Sequence, residues 1–212
     1  MENILHLYRM DYDAEYPLIC FDERPCFLIG DAVKGLEMKP EQVKRQHYEY
    51  VKNGSCCLLM AIEPLTGKRI AKVYDQRTSL EYADFMKLVA DSFPAAKKIR
   101  VIQDNLNTHK KASFYKKFDA ATAFELAQKF EFNFTPRKAS WLNAVEIEFS
   151  ALSRQCLNRR IATKEILEKE IYTAVKEREN KKIKIEWKFS ITDARKKMKR
   201  HYEKVNSENT EM

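Results

Sequence analysis

Two aspartates in this sequence each follow directly on a short apolar run. Asp22 comes after residues 18–21, and Asp104 comes after residues 99–103. Because a buried strand fixes the side chain at its end, two such strands side by side would hold the two carboxylates close together at one sheet edge. Like charges at that distance raise each other's pKa unless a cation neutralises them. Mg²⁺ does so with oxygen ligands, so the pair predicts a metal site, although an acid after a single strand is more often a loop starter or helix cap.

A third carboxylate is expected from a predicted helix over residues 140–157. Glu146 lies at one margin of the apolar stripe of this helix, and Glu148 lies at the opposite margin. Periodicity alone does not choose between the two glutamates, and either one could be a solvated flank. The stripe itself consists of Leu142, Val145, Phe149, Leu152 and Cys156.

The elements that would position these acids alternate between strands and helices. This order indicates an α/β layout with helices covering a mixed sheet, compatible with a ribonuclease-H-like sheet. The predicted strands cover residues 18–21, 55–62, 69–74, 99–103, 132–134 and 184–189. The predicted helices cover residues 79–93, 110–118, 121–130, 140–157, 163–181 and 192–205, with Ser79 as an N-cap of the first and Ser140 as the cap of the fourth.

Composition favours one sizeable soluble domain. The chain has 212 residues, of which 44% are hydrophobic, and only four Gly and six Pro, which disfavours a turn-rich β-sandwich. Its five Cys show no metal-ligand spacing, so they are expected to be free thiols rather than zinc ligands. Neither a membrane span nor a signal peptide is recognisable, which predicts an intracellular, cytoplasmic protein.

Positive charge is concentrated in the last third of the chain. The formal net charge is +8, and residues 151–212 carry 17 Lys and Arg against 10 Asp and Glu. Such a surplus favours a polyanionic partner, because each cation placed on a phosphate releases a condensed counterion. A solvated helical surface would explain the same surplus, so charge alone does not decide.

Three segments together resemble the catalytic blocks of DDE transposases. They are residues 20–25 (CFDERP), 103–109 (QDNLNTH) and 140–146 (SWLNAVE), and the stretch 141–157 (WLNAVEIEFSALSRQCL) looks especially close. The similarity is to the bacterial insertion-sequence branch of the mariner-like superfamily, and it covers roughly residues 12–182. It implies a ribonuclease-H-like catalytic domain over residues 1–182, followed by a basic extension over residues 183–212.

The resemblance implies that Asp22, Asp104 and Glu146 are the catalytic, metal-binding triad. The family's L-N-x-x-E block selects Glu146 over Glu148. Two Mg²⁺ ions, or Mn²⁺, would be the cofactors of DNA strand cleavage and strand transfer during transposition. Asn105, His109 and Asn143 match residues near the family's site, without a firm chemical role; a packing role for His109 stays equally open.

The partners implied are double-stranded DNA, as transposon ends and as target with a TA preference, and a second copy in a homodimer. Because only 21 residues precede Asp22, a helix-turn-helix part is expected to be missing or separately encoded. A protein that acts on DNA would be located on the nucleoid. Two alternatives stay open: a transposase remnant that binds DNA without transposing, and a ribonuclease-H-like nuclease of another class. The residues expected to contact the DNA backbone are Arg154, Arg159, Arg160, Lys196, Lys197 and Arg200.

Overall fold

The computed structural model describes residues 1–33, 35, 40–41 and 47–203, and a mixed five-stranded sheet forms their centre. The strand order is β3-β2-β1-β4-β5. β1 pairs antiparallel with β2 and parallel with β4, and β4 pairs parallel with β5. The predicted α/β class with a mixed sheet is therefore confirmed. The strands are β1 (Leu18–Asp31), β2 (Tyr50–Ile62), β3 (Arg69–Tyr74), β4 (Ile99–Gln103) and β5 (Phe130–Phe134).

Helices cover both faces of the sheet and enclose two apolar clusters. Successive residues of a strand point to opposite faces, so Cys20 belongs to one cluster while Ile19 and Phe21 belong to the other. α1, α5, α6 and α7 pack on the Cys20 face, and α2, α3 and α4 pack on the Phe21 face. The helices are α1 (Glu2–Tyr8), α2 (Ser79–Ser92), α3 (Ala112–Lys117), α4 (Ala120–Lys129), α5 (Val145–Leu152), α6 (Lys164–Asn180) and α7 (Ile191–Lys197).

The predicted helix over residues 140–157 is a composite of three pieces. A 3₁₀ turn (Ser140–Leu142) precedes α5, and a π-helical turn (Ser153–Leu157) follows it. Ser140 makes no capping hydrogen bond. The apolar stripe of this region is buried, as predicted, so the composite still presents one continuous face to the core.

Several predicted boundaries were wrong for identifiable reasons. β1 does not end before Asp22 but continues to Asp31, because β2 pairs with it along that whole length. On the other side of β1, β4 pairs only with Leu18–Cys20. Beyond Cys20 that side of β1 makes no hydrogen bonds with β4, and a strand edge of this kind tolerates a proline such as Pro25. The N-cap of α2 is Thr78 rather than Ser79, and it forms a capping box with Glu81.

Two further elements differ from the sequence prediction. α1 was missed, although it buries four of its seven residues. Residues 184–189 form no strand: the amide of Ile185 donates to the carbonyl of Pro64, and the Trp187 ring stacks on Tyr8 at 4.5 Å. Their alternation reflects packing onto the domain, since Ile185 belongs to the same buried cluster as α1 and α5. The end of the predicted last helix, at Val205, lies outside the described residues, as do residues 42–46 of the stretch 40–51 that was predicted to be irregular. The last two residues of that stretch, Tyr50 and Val51, belong to β2.

All five cysteines are free thiols, as expected. Within the described ranges, every helix is too short or too polar to cross a membrane.

Candidate active site

The register of β1 and β4 explains how Asp22 and Asp104 become neighbours. Cys20 pairs with Ile102, and each aspartate lies two residues further along its strand direction. Residues two apart on a strand share a face, so Asp22 lies on the Cys20 face that α5 covers, and Asp104 is the first residue after β4 at the same end of the sheet. The two strands are neighbours, as predicted, although Asp22 lies within its strand rather than at its end.

Asn143 connects this edge to α5. Its side-chain amide donates to the Phe21 carbonyl at 2.8 Å and lies 3.4 Å from Oδ2 of Asp22. Asn143 is 1% exposed, and its Oδ1 has no hydrogen-bond partner. Glu146 stands one turn after Asn143, and its side chain is exposed in the first turn of α5. The start of the helix is thereby fixed to β1, with one unsatisfied acceptor beside Asp22.

The pKa of Asp22 reflects both its burial and its acidic neighbours. Burial raises the pKa of Asp22 to about 7, although a hydrogen bond from the Glu23 amide has the opposite effect and lowers it. The carboxylates of Asp104 and Glu146 raise this pKa further. In the described part of the chain, no group of three or more His, Cys, Asp and Glu side chains is arranged so that it could hold a metal ion as the side chains stand. The structure thus gathers the three acids into one electrostatic neighbourhood, and their role as ligands is a proposal taken up below.

His109 is a fully buried partner of Asp104. Its Nδ1 lies 2.6 Å from Oδ1 of Asp104, and its Nε2 lies 3.4 Å from Oε2 of Glu23. Burial lowers the pKa of His109, but the bonds to the two carboxylates outweigh burial and raise it to about 9. The imidazolium therefore donates from both nitrogens. Its ring also stacks on Tyr82 at a centroid distance of 4.8 Å, which fixes the plane of the ring.

Glu23 is a site residue to which the sequence analysis assigned no role. Its side chain is 5% exposed, and Oε1 lies 3.1 Å from Nη1 of Arg77. A chain of charges thus runs from Arg77 through Glu23 and His109 to Asp104. The only sequence signal was the position of Glu23 next to Asp22, because 86 residues separate it from His109.

The structure separates the two glutamates of α5 that periodicity left equivalent. Glu148 is fully buried and accepts two hydrogen bonds from each of Arg69 and Arg178, at 2.8–2.9 Å. Burial alone would raise the pKa of Glu148, but the two arginines hold it below its usual value. Glu148 is therefore engaged in the core, while Glu146 is exposed beside the aspartates.

The residues expected to bind DNA are not gathered in one place. Arg154 is exposed in the π-helical turn that follows α5. Arg159 pairs with Glu170, and Arg160 bonds Asp31 and the carbonyls of residues 47–49. These bonds give Arg160 a structural role, and its contact with phosphate stays a prediction. Lys196 and Lys197 are exposed on α7, Arg200 is exposed beyond it, and Asn105 is exposed beside Asp104.

Comparisons with known proteins agree with this geometry. The family model described as DDE superfamily endonuclease matches residues 17–168. The chain belongs to this family. Comparison with curated proteins yields no match.

Solved structures that resemble the chain include two complexes of the Mos1 mariner transposase. Against the paired end complex with Mn, the TM-score is 0.54 at 13% identity, covering 82% of this chain and 52% of the other. Against the Mos1 strand transfer complex, the TM-score is 0.56 at 12% identity, covering 82% and 51%. The chain spans about half the length of these transposases. At this identity the likeness concerns the fold, and it confirms the ribonuclease-H-like sheet.

Proposed function

We propose that this DDE endonuclease domain is the catalytic domain of a transposase that cleaves and joins double-stranded DNA with divalent metal ions. The observation that carries the proposal is the placement of Asp22, which is partly buried at the end of the sheet where β4 leads into Asp104, with Asn143 holding the start of the Glu146 helix to its strand. An acid buried among other acids is unfavourable unless something compensates its charge. A divalent cation bound by Asp22, Asp104 and Glu146 would supply that compensation.

The donor set suits Mg²⁺ or Mn²⁺. It offers carboxylate oxygens from three elements and the unsatisfied amide oxygen of Asn143, and hard cations of this size prefer oxygen ligands. The Mos1 structure described with Mn is a relative in fold that was studied with such an ion. Two ions held here would activate a water or 3′-hydroxyl for attack on a phosphodiester and stabilise the leaving oxygen.

His109 and Glu23 would position Asp104. The imidazolium binds one oxygen of Asp104 and so fixes the direction of the other, which is the usual function of groups behind a metal ligand. Glu23 compensates the charge of the buried ring and is itself paired with Arg77. Asn143 would position Asp22 in a similar way, because its side-chain amide donates a hydrogen bond to the carbonyl of the preceding residue, Phe21.

The substrate would be the backbone of duplex DNA at the ends of a mobile element in the bacterial cytoplasm. Arg154, next to the helix of Glu146, is the best-placed cation for a phosphate contact, because its side chain is exposed. Three further features belong to the same proposal. The chain would act as a homodimer, it would work with a separately encoded helix-turn-helix part, and the residues from 183 onward would form a basic extension of the catalytic domain.

The direct test is metal-dependent nicking of supercoiled plasmid DNA. We expect nicking with Mn²⁺ or Mg²⁺ by the unmodified chain, and its loss in Asp22→Asn, Asp104→Asn and Glu146→Gln. Asp91→Asn is the matched control, because Asp91 is exposed and only pairs with Lys87 one turn away. Nicking by Asp104→Asn at the rate of Asp91→Asn would refute the proposal. Preference for an RNA–DNA hybrid over duplex DNA would instead favour the other nuclease class.

A further inference from the structure

Three phenylalanines on β5 form a ladder that rises from the core to the surface. Phe130, Phe132 and Phe134 lie on one face of the strand, with successive ring centroids 5.6 and 6.3 Å apart and interplanar angles of 17° and 29°. Phe130 is 2% exposed, and Phe134 is 41% exposed. The ladder therefore ends in an aromatic ring that is open to solvent.

The exposed ring lies at the same end of the sheet as Asp104, on the face that α3 and α4 cover. Phe134 pairs with Gln103, the residue directly before Asp104. The amide of Thr135 donates to the Gln103 carbonyl at 2.9 Å, which extends the pairing past the end of the strand. Among the residues that the structure describes, β5 is the last strand on this side of the sheet. The position of Phe134 relative to Asp104 is thus fixed by backbone hydrogen bonds.

Lysines surround the ladder. An open cleft of about 390 Å³ is lined by the three phenylalanines, Lys98, Lys110, Lys111 and Glu131. The three lysines are exposed and face a single acid, so the cleft has a net positive charge. Lys110 and Lys111 line this cleft and directly follow His109, the residue that bonds Asp104, in the chain.

We propose that this cleft binds a short single-stranded DNA segment beside the cleaved phosphate, with a base stacked on Phe134. Flat aromatic rings combined with cations are the chemistry by which proteins hold unpaired nucleotides. The faces of bases in a duplex are already stacked, so duplex DNA could reach the lysines but not the ring. This inference rests on the proposed function, since it identifies the strand that strand cleavage would release.

The test is fluorescence anisotropy of a labelled oligothymidine and of a matched duplex, with the full chain and without divalent cation. Loss of one base–aromatic stack weakens binding by roughly tenfold, so Phe134→Ala should lose about that factor for the single strand and little for the duplex. Phe134→Tyr, which keeps a ring, should retain binding. Phe124→Ala is the control, because Phe124 is an exposed phenylalanine on α4 that does not line the cleft.

A second readout reports stacking itself. A 2-aminopurine base in the oligonucleotide should be quenched by the unmodified chain and by Phe134→Tyr, and not by Phe134→Ala. Equal affinities of Phe134→Ala and Phe124→Ala for the single strand, or an unquenched base with the unmodified chain, would overturn the inference. Nicking that persists alongside that result leaves the proposed function standing. Phe134-dependent binding without any metal-dependent nicking would instead remove the proposed function.

Discussion

Glu146 and Glu148 stand two positions apart on α5, and the structure predicts opposite consequences for neutralising each of them. Glu148 is fully buried and accepts four hydrogen bonds from Arg69 and Arg178. Glu146 is exposed, and its charge acts on Asp22. Glu148→Gln should therefore damage stability, while Glu146→Gln should damage metal binding.

The size of the Glu148→Gln effect follows from its burial. Removing one partner of a buried ion pair typically costs about 3–5 kcal/mol, because the remaining charge stays buried without compensation. Arg69 keeps a hydrogen bond to the Ile183 carbonyl, so the lower part of that range is expected. A whole domain is stable by only about 5–15 kcal/mol, so this one change removes a large share. Glu146→Gln, on the surface, should stay within about 0.5 kcal/mol.

Two measurements separate these outcomes: urea denaturation for the free energy of unfolding, and titration calorimetry with Mn²⁺ for metal affinity. We expect Glu148→Gln to lower the unfolding midpoint clearly while its folded fraction still binds Mn²⁺. Glu146→Gln should unfold like the unmodified chain and bind Mn²⁺ much more weakly. Equal destabilisation by the two changes, or loss of Mn²⁺ binding only in Glu148→Gln, would refute this assignment.

Four further predictions concern the site and its surroundings. The pKa of Asp22 is raised to about 7, so protons should compete with the metal and weaken Mn²⁺ binding by about tenfold per pH unit below that value; calorimetry from pH 5 to pH 8 should show this slope, and Asp22→Asn should abolish it. The same raised pKa means that the metal-free fold binds more protons than the unfolded chain, so its stability should fall as pH rises from about 4 to 7; a melting temperature that rises across that window in the unmodified chain, relative to Asp22→Asn, would contradict the burial argument. Glu23→Gln removes the compensation of the His109 charge and should weaken Mn²⁺ affinity by roughly 10–100-fold, whereas Glu63→Gln, a buried acid bonded to Thr66, should leave it unchanged. Arg154→Gln should lower duplex affinity and reduce the salt slope of log K by about one; anisotropy titrations at several salt concentrations measure both, and an unchanged slope would remove Arg154 from the interface.

The sequence predicted the elements that are periodic and buried, and missed those whose cause lies elsewhere in the chain. The runs leading to Asp22 and Asp104 are strongly apolar, so their strands could be recognised. The continuation of β1 through Pro25 could not, because it depends on pairing with β2. Residues 184–189 alternate like a strand, but the groups they contact are Pro64 and Tyr8 rather than a neighbouring strand.

The candidate site likewise combines features that a local sequence pattern predicts with features that depend on residues far away in the chain. Periodicity placed Glu146 and Glu148 at equivalent margins of one helix, and only the family resemblance chose between them. The structure supplies the physical reason, since Arg69 and Arg178 lie 79 and 30 residues away from Glu148. The pairing of Glu23 with His109 depends likewise on the fold, which places the residue after Asp22 against the ring. Long-range partners of this kind leave no local pattern in a single sequence.

We propose that Asp22, Asp104 and Glu146 together hold divalent cations, and anomalous diffraction from crystals of the chain grown with Mn²⁺, collected at the manganese edge, would locate those ions. We expect one or two anomalous peaks bounded by oxygens of these three side chains, at about 2.1 Å, as for small hard cations. Manganese bound elsewhere, with the three carboxylates directed away from one another, would contradict it.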